Sequence, residues 1–232
     1  MLVWQDVILS FTYDRPPAVY ATCPIPFSNP DEYSYEECIF SIAKILLNCK
    51  VKEMMGPAPS HAQSMLEARR LCEEVGQRAT AHLQDKAKCT SLANHLERLS
   101  LGVHMGYAIS RLGRHSQQVW IPGTADDCVQ WSLRSIENIL NIHRYAPGAC
   151  RNWVLVHNAT SCAIMLKEIG AIPGNKEGER KICSLIRVME QEEKQSEWCD
   201  DDMNQWHAGP FSRALYALRE CYRDNLAEFR YL

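Results

Sequence analysis

Residues 151–170 read RNWVLVHNATSCAIMLKEIG, in which apolar side chains recur every three or four positions. The stripe consists of Leu155, Ala159, Cys162, Leu166 and Ile169. That period places the stripe on one face of an α-helix, and Gly170 stands where a helix C-terminus favours glycine. The spacing therefore predicts a buried central helix over residues 151–169.

The same helical period extends outward in both directions along the chain. Turn-forming Pro and Gly residues separate the apolar stripes, as at Pro16-Pro17, Gly56-Pro57 and Pro147-Gly148. The predicted helices cover residues 2–12, Ser34 to about Met55, Ser60 to about Gln84, about 88–112, Thr124 to before Pro147, 151–169, about 177–195 and 210–226. No alternating strand pattern and no fixed repeat competes with this reading. The sequence predicts an all-α fold, an irregular multi-helix domain of roughly eight helices with Pro-rich loops.

Local signals mark several boundaries of these helices. Ser34 and Glu37 have the spacing of a capping box. Gly102 and Gly106 lie four residues apart in one predicted helix, where they either let another backbone approach closely or weaken the helix locally. Residues 16–30 are expected to be an extended connection, and residues 198–209 an exposed loop.

Length, composition and charge exclude several classes of protein. The 232 residues are 46% hydrophobic and 23% charged, which is ordinary globular usage. A single domain over residues 1–232 is predicted. The formal net charge of −3 gives no overall attraction to phosphate. No stretch approaches the roughly 20 apolar residues needed to span a bilayer, so no membrane association is predicted.

The eleven cysteines and eight histidines do not form metal-binding motifs. No two cysteines are closer than eleven residues, which excludes a CxxC unit. The histidines are scattered over several predicted segments, and no HExxH or HxH pair occurs. Small buried thiols in a reducing, intracellular compartment are expected, above all at Cys38, Cys128, Cys162, Cys183 and Cys221. No metal and no cofactor is predicted.

Catalytic motifs are equally hard to find. Glu73-Glu74 and the run Asp200-Asp201-Asp202 lack partners at matched spacing, and a solvated surface accounts for both. There is no GxSxG elbow and no phosphate-binding glycine loop. The sequence therefore predicts no catalytic residues and favours a protein that is not an enzyme.

The opening segment predicts a packed helix with a defined end. Trp4, Ile8, Leu9 and Phe11 are large apolar side chains on residues 2–12 that are expected to be buried, and each would contribute roughly 1.5–3 kcal/mol on full burial. Arg15 is expected either to bond the last free carbonyls of the helix or to pair with Asp6 or Asp14. The segment is interpreted as structural, or alternatively as part of a device that senses a ligand or holds an inactive state.

One family resemblance is carried by the same segment. The residues Leu2-Val3-Trp4-Gln5-Asp6, Leu9-Ser10 and Tyr13-Asp14-Arg15-Pro16 resemble a segment in the regulatory, or middle homology, region of fungal zinc binuclear cluster transcription factors. The downstream order is similar as well, with an aliphatic helix from Trp153 to Ile169 and a Ser-Arg-Ala-Leu helix at 212–215. Members of that family carry a six-cysteine zinc cluster near the N-terminus, which this sequence lacks.

The resemblance implies a nuclear protein of transcription regulation, linked to a fungal gene cluster of secondary metabolism. It also implies a helical regulatory domain that is truncated on its N-terminal side. Without the zinc cluster nothing presents a helix to the major groove, so no direct DNA binding is expected. Its partners would be another protein, such as a full-length transcription factor, or a small-molecule effector.

Two alternatives to this interpretation stay open. The first is a free-standing helical interaction protein without regulatory activity. The second is a small helical enzyme whose catalytic groups meet only in space. If neither regulation nor a nuclear role applies, a cytoplasmic location is expected.

Overall fold

The computed structural model describes residues 2–18, 31–55, 61–113, 124–197 and 210–223. Over these residues it confirms the all-α fold, with nine α-helices, no strand and two short 3-10 turns at 86–88 and 147–151. The helices are α1 (Leu2–Thr12), α2 (Tyr35–Met55), α3 (His61–Gln77), α4 (Ala81–Gln84), α5 (Leu92–Leu112), α6 (Ala125–Tyr145), α7 (Trp153–Glu168), α8 (Lys176–Glu197) and α9 (Pro210–Cys221). The residues predicted as an exposed loop, 198–209, and most of the connection at 16–30 lie outside the described residues.

Side-chain caps fix the starts of α2, α5 and α7, and the first of them is the one that the sequence predicted at Ser34. The Ser34 N–H donates to Glu37 Oε2 at 2.7 Å, and the Glu37 N–H donates to Ser34 Oγ at 3.3 Å. This reciprocal pair confirms the capping box. At the far end of α7, Gly170 adopts a φ of 71°, the left-handed conformation that ends many helices at glycine.

One predicted helix is broken in the structure. Residues from Ser60 to Gln84 were expected to form a single helix, but α3 ends at Gln77 and the one-turn α4 begins at Ala81. The backbone of Tyr33 causes the break, since its N–H donates to Arg78 O at 2.7 Å and its carbonyl accepts from Thr80 N at 2.9 Å. Residues 78–80 therefore pair with a distant segment instead of continuing the helix.

Two hydrophobic cores share the central helices. The first core joins α1, α2 and α3, with Val7, Ile42 and Cys72 fully buried. The second joins α6, α7, α8 and α9, with Ile136 and Ile182 fully buried. Helices α5 and α7 contribute side chains to both cores. Four residues of the predicted central stripe are buried, namely Leu155, Ala159, Cys162 and Leu166, whereas Ile169 is half-buried just beyond the end of α7.

Helices α5 and α6 are in close contact because two glycines leave room between them. A Cβ atom at Gly106 would stand 2.5 Å from Ser135 Cβ and 2.7 Å from the Trp131 carbonyl oxygen. A Cβ at Gly102 would collide with the side-chain amide of Asn138. Of the two roles predicted for these glycines, the structure shows the close approach.

We expect Gly106→Ala to lower the free energy of unfolding by about 1–2 kcal/mol. Overpacking lowers the free energy of unfolding by about 1–3 kcal/mol, and the better helix propensity of alanine offsets up to about 1 kcal/mol of that loss. Urea unfolding followed by circular dichroism measures the change. Gly76→Ala on α3 is the control, since its Cβ would meet only the flexible Met105 methyl, at 3.3 Å. An equal loss at both glycines would contradict the close-approach argument.

Candidate functional site

An open cleft of about 660 Å³ lies between α3, α4, α5 and α6. Its apolar surface comes from Leu83, Leu101, Met105 and Trp131, of which the first three are buried and the indole is half-buried. Polar and charged side chains form the rest of its lining: Glu73, Gln77, Gln84, Arg98, Arg134, Glu137 and Asn138. Small-molecule sites have this volume and this mixture of an apolar surface with a few polar groups.

The packing described above determines the shape of the cleft. Gly102 and Gly106 bring α6 against α5, so Trp131 and Asn138 stand beside Met105 and Leu101. Gly76 also lines the cleft, and the missing side chain leaves space beside the Met105 methyl. The break in the chain at 78–80 brings Leu83 of α4 to the same cleft.

The two carboxylates of the lining each pair with a cationic neighbour. Glu73 Oε1 accepts from Arg69 Nε at 3.1 Å, and Glu137 Oε2 accepts from Lys181 Nζ at 3.0 Å. Both ion pairs reach the solvent, so each contributes little to stability. Because Arg69 and Lys181 each also pair with a second carboxylate outside the cleft, the negative charge of the lining is only partly balanced.

Unlike the two carboxylates, the two guanidinium groups of the lining have no oppositely charged partner among the described residues. Within the described part of the chain, neither Arg98 nor Arg134 forms an ion pair or a hydrogen bond. Arg98 Nε is buried and has no hydrogen-bond partner, a state that costs about 1–3 kcal/mol for a buried donor. The Arg134 guanidinium lies over the Trp131 ring, with its central carbon 5.3 Å from the ring centroid. The cleft therefore holds two guanidinium groups without an anionic partner among the described residues, beside apolar surface, and each could bind an anionic group of a ligand.

The opening segment forms a separate cluster of charged side chains against α2. Asp6 is only 4% exposed, and its Oδ1 accepts from Arg15 Nη2 at 2.8 Å and from the Ala18 N–H at 3.0 Å. Of the partners predicted for Arg15, the structure therefore selects Asp6. Asp14 pairs instead with the buried ammonium group of Lys50, and this lowers the pKa of the Asp14 carboxyl. These pairs hold the end of α1 against α2.

An aromatic cluster, formed by Trp4, His104, Tyr107 and His157, joins α1 to α5 and α7. The centroid of the Trp4 ring lies 4.5 Å from that of His104 and 6.2 Å from that of Tyr107, which in turn lies 6.0 Å from that of His157. Trp4 Nε1 donates to Ile39 O at 3.1 Å. Burial lowers the pKa of His104 to about 3 and that of His157 to about 4, so both rings are neutral near pH 7.

The cysteines and the other histidines form no reactive centre in the described ranges. Cys38, Cys128, Cys162 and Cys183 are buried as predicted, whereas Cys221 is only partly buried. Burial raises the pKa of both Cys38 and Cys162 to about 12, which keeps these thiols protonated. Among the residues that the structure describes, no three His, Cys, Asp or Glu side chains are placed to hold a metal ion. His115, His207 and Asp200-Asp202 lie outside those residues.

Sequence reasoning did not identify the cleft residues Arg98, Trp131 and Arg134. The only signal near them was the Gly102 and Gly106 pair, which indicated a close helix contact but not a cleft beside it. Arginine on a helix is usually a solvated side chain, and whether its charge is balanced depends on residues distant in sequence. Glu137, for example, pairs with Lys181 of α8.

The chain has no match among protein-family models, curated proteins or solved structures. In the described parts of the chain, no helix combines the length and apolar character needed to cross a bilayer.

Proposed function

We propose that this chain is a transcription-regulator-like helical domain that responds to a small molecule and acts through protein contacts, without binding DNA itself. The observation that carries the proposal is the cleft between α3 and α6, where Arg98 and Arg134 have no anionic partner among the described residues. The resemblance of residues 2–16 to a fungal regulatory region supports the regulatory role. We place the protein in the nucleus with a full-length transcription factor as its partner, and link it to a gene cluster of secondary metabolism.

A physical path connects the cleft to the opening segment. Met105 of α5 lines the cleft, and its neighbour His104 packs on Trp4 of α1. A ligand that shifts α5 would therefore change the packing of α1 through directly contacting side chains. A partner protein that contacts the opening segment would therefore respond to whether the cleft is occupied.

The proposal is tested by fusing the whole chain to a DNA-binding domain of known operator and measuring a reporter gene in fungal cells. We expect a several-fold change in transcription relative to the DNA-binding domain alone. No change with any added effector would overturn the regulatory role. Co-purification of the unfused chain with a full-length zinc-cluster factor would separate this role from that of an interaction protein without regulatory activity.

The absence of intrinsic DNA binding is tested with the purified chain. The formal net charge of −3 gives no general attraction to the phosphate backbone. We expect no sequence-dependent mobility shift at physiological salt. A specific shift in the nanomolar range would contradict this part of the proposal.

A further inference from the structure

We propose that the cleft binds a planar aryl carboxylate of two or three rings, with the carboxylate at Arg98 and the rings between Met105, Trp131 and Arg134. This inference rests on the proposed small-molecule role and specifies the chemical class of the ligand. It follows from the charge, the apolar surface and the dimensions of the cleft.

Arg98 provides the anion-binding end. Its Nε–H is buried without a hydrogen-bond partner, and the residue lines the open cleft. A guanidinium group binds a carboxylate through two parallel hydrogen bonds, one of which can come from Nε. A bound carboxylate would therefore satisfy the donor that the protein leaves unpaired.

The number of charges in the cleft favours a monoanion. Glu73 and Glu137 also line it, and although each has a cationic neighbour, both remain near any ligand. A dianion such as a phosphate monoester would be repelled by both carboxylates. A single carboxylate needs only one guanidinium group to bind it.

Arg134 and Trp131 provide the aryl-binding end. The Arg134 guanidinium lies over the indole, with its central carbon 5.3 Å from the ring centroid, so its charge is held beside the apolar surface. A guanidinium group also interacts favourably with the faces of other aromatic rings. Met105 and Leu101 lie buried along the same surface, and a methionine sulfur makes favourable contacts with aromatic rings.

The dimensions of the cleft require more than one ring. Arg98 and Met105 lie two turns apart on α5, which separates their Cα atoms by about 10 Å along the helix axis. The volume of about 660 Å³ falls in the middle of the range for small-molecule sites. A single ring held at Arg98 would leave the surface at Met105 and Trp131 uncovered.

The test is titration calorimetry of the full chain with benzoate, 2-naphthoate and 2-anthracenecarboxylate, each compared with its primary amide. We expect saturable binding of the two larger acids, tighter than benzoate and about tenfold tighter than their amides. The Arg98→Gln variant should lose the preference for acid over amide. The Trp131→Leu variant should weaken acid and amide several-fold alike and keep that preference, and Arg134→Gln should weaken both and lower the preference only in part.

Arg213→Gln on α9 is the matched control, because it removes the same charge from an exposed position in the other half of the molecule. It should leave binding unchanged. If Arg98→Gln does not fold, Arg98→Lys keeps the charge without the planar fork and should lose part of the preference.

Several results would overturn the inference. They are no saturable binding of either larger acid at millimolar concentration, equal binding of acid and amide, or an acid preference that survives Arg98→Gln. Binding as expected without any effect in the reporter assay would leave the inference standing and remove the regulatory role. A reporter effect without aryl carboxylate binding would overturn the inference and leave the regulatory role standing.

Discussion

Trp4→Ala should lower the free energy of unfolding by about 3–5 kcal/mol, the usual cost of removing a buried indole. Trp4 is 3% exposed, packs on His104 and Tyr107, and donates a hydrogen bond to the Ile39 carbonyl. The truncation would open a cavity between α1, α2 and α5 and remove that hydrogen bond. Urea unfolding by circular dichroism gives the loss.

Leu9→Ala is the matched control for this substitution. The sequence predicted that Leu9 is buried like Trp4, but it lies on the outer face of the same helix and is 39% exposed. Its truncation therefore removes less buried surface and should cost about 1 kcal/mol or less. Trp4→Phe should fall between the two, because it retains an aromatic ring without the N–H donor. A Trp4→Ala variant as stable as Leu9→Ala would show that α1 is not anchored by its indole.

Stability should also fall as the pH drops from about 6.5 towards 5. His104 is neutral when folded because burial lowers its pKa to about 3, while the unfolded chain binds the proton near pH 6.5. The unfolded state therefore takes up more protons in this window and is favoured by acid. His104 should contribute a loss of about 2 kcal/mol by pH 5, at about 1.4 kcal/mol per pH unit. His157, which is less deeply buried, should add a smaller loss in the same direction.

The measurement is a series of urea unfolding curves between pH 7.5 and 5, a range in which ordinary carboxylates stay ionised. His104→Gln should flatten the pH dependence even if it lowers the stability at pH 7. His82→Gln is the control, because His82 lies half-buried near the surface beside Glu97, at 3.1 Å. A wild-type chain equally stable at pH 7 and pH 5 would rule out a neutral buried His104.

The parts of the fold that sequence predicted correctly are those fixed by neighbouring residues. The capping box at Ser34 and Glu37 needs only a spacing of three, and the central stripe of α7 needs only a helical period. Both signals operate within a few turns of one helix. They can therefore be recognised without knowing what the helix packs against.

The features that sequence could not predict depend on contacts between residues that are far apart in the chain. The break at 78–80 depends on the backbone of Tyr33, which leaves no trace in the sequence around the break. The free charge of Arg98 likewise depends on which cations pair with Glu73 and Glu137. For Arg15 the sequence offered both Asp6 and Asp14, and only the fold shows that Asp14 is taken by Lys50.

Helix α5 has contacts on every side, which makes its register unusually constrained. Its Leu101 side chain packs in the first core and its Leu99 side chain in the second. His104 contacts Trp4 of α1, and Met105 lines the cleft. One residue inserted before these positions would rotate all that follow by about 100° relative to their neighbours. The cleft, the aromatic cluster and both cores would lose their alignment together. A change in the length of this one helix could not be absorbed locally.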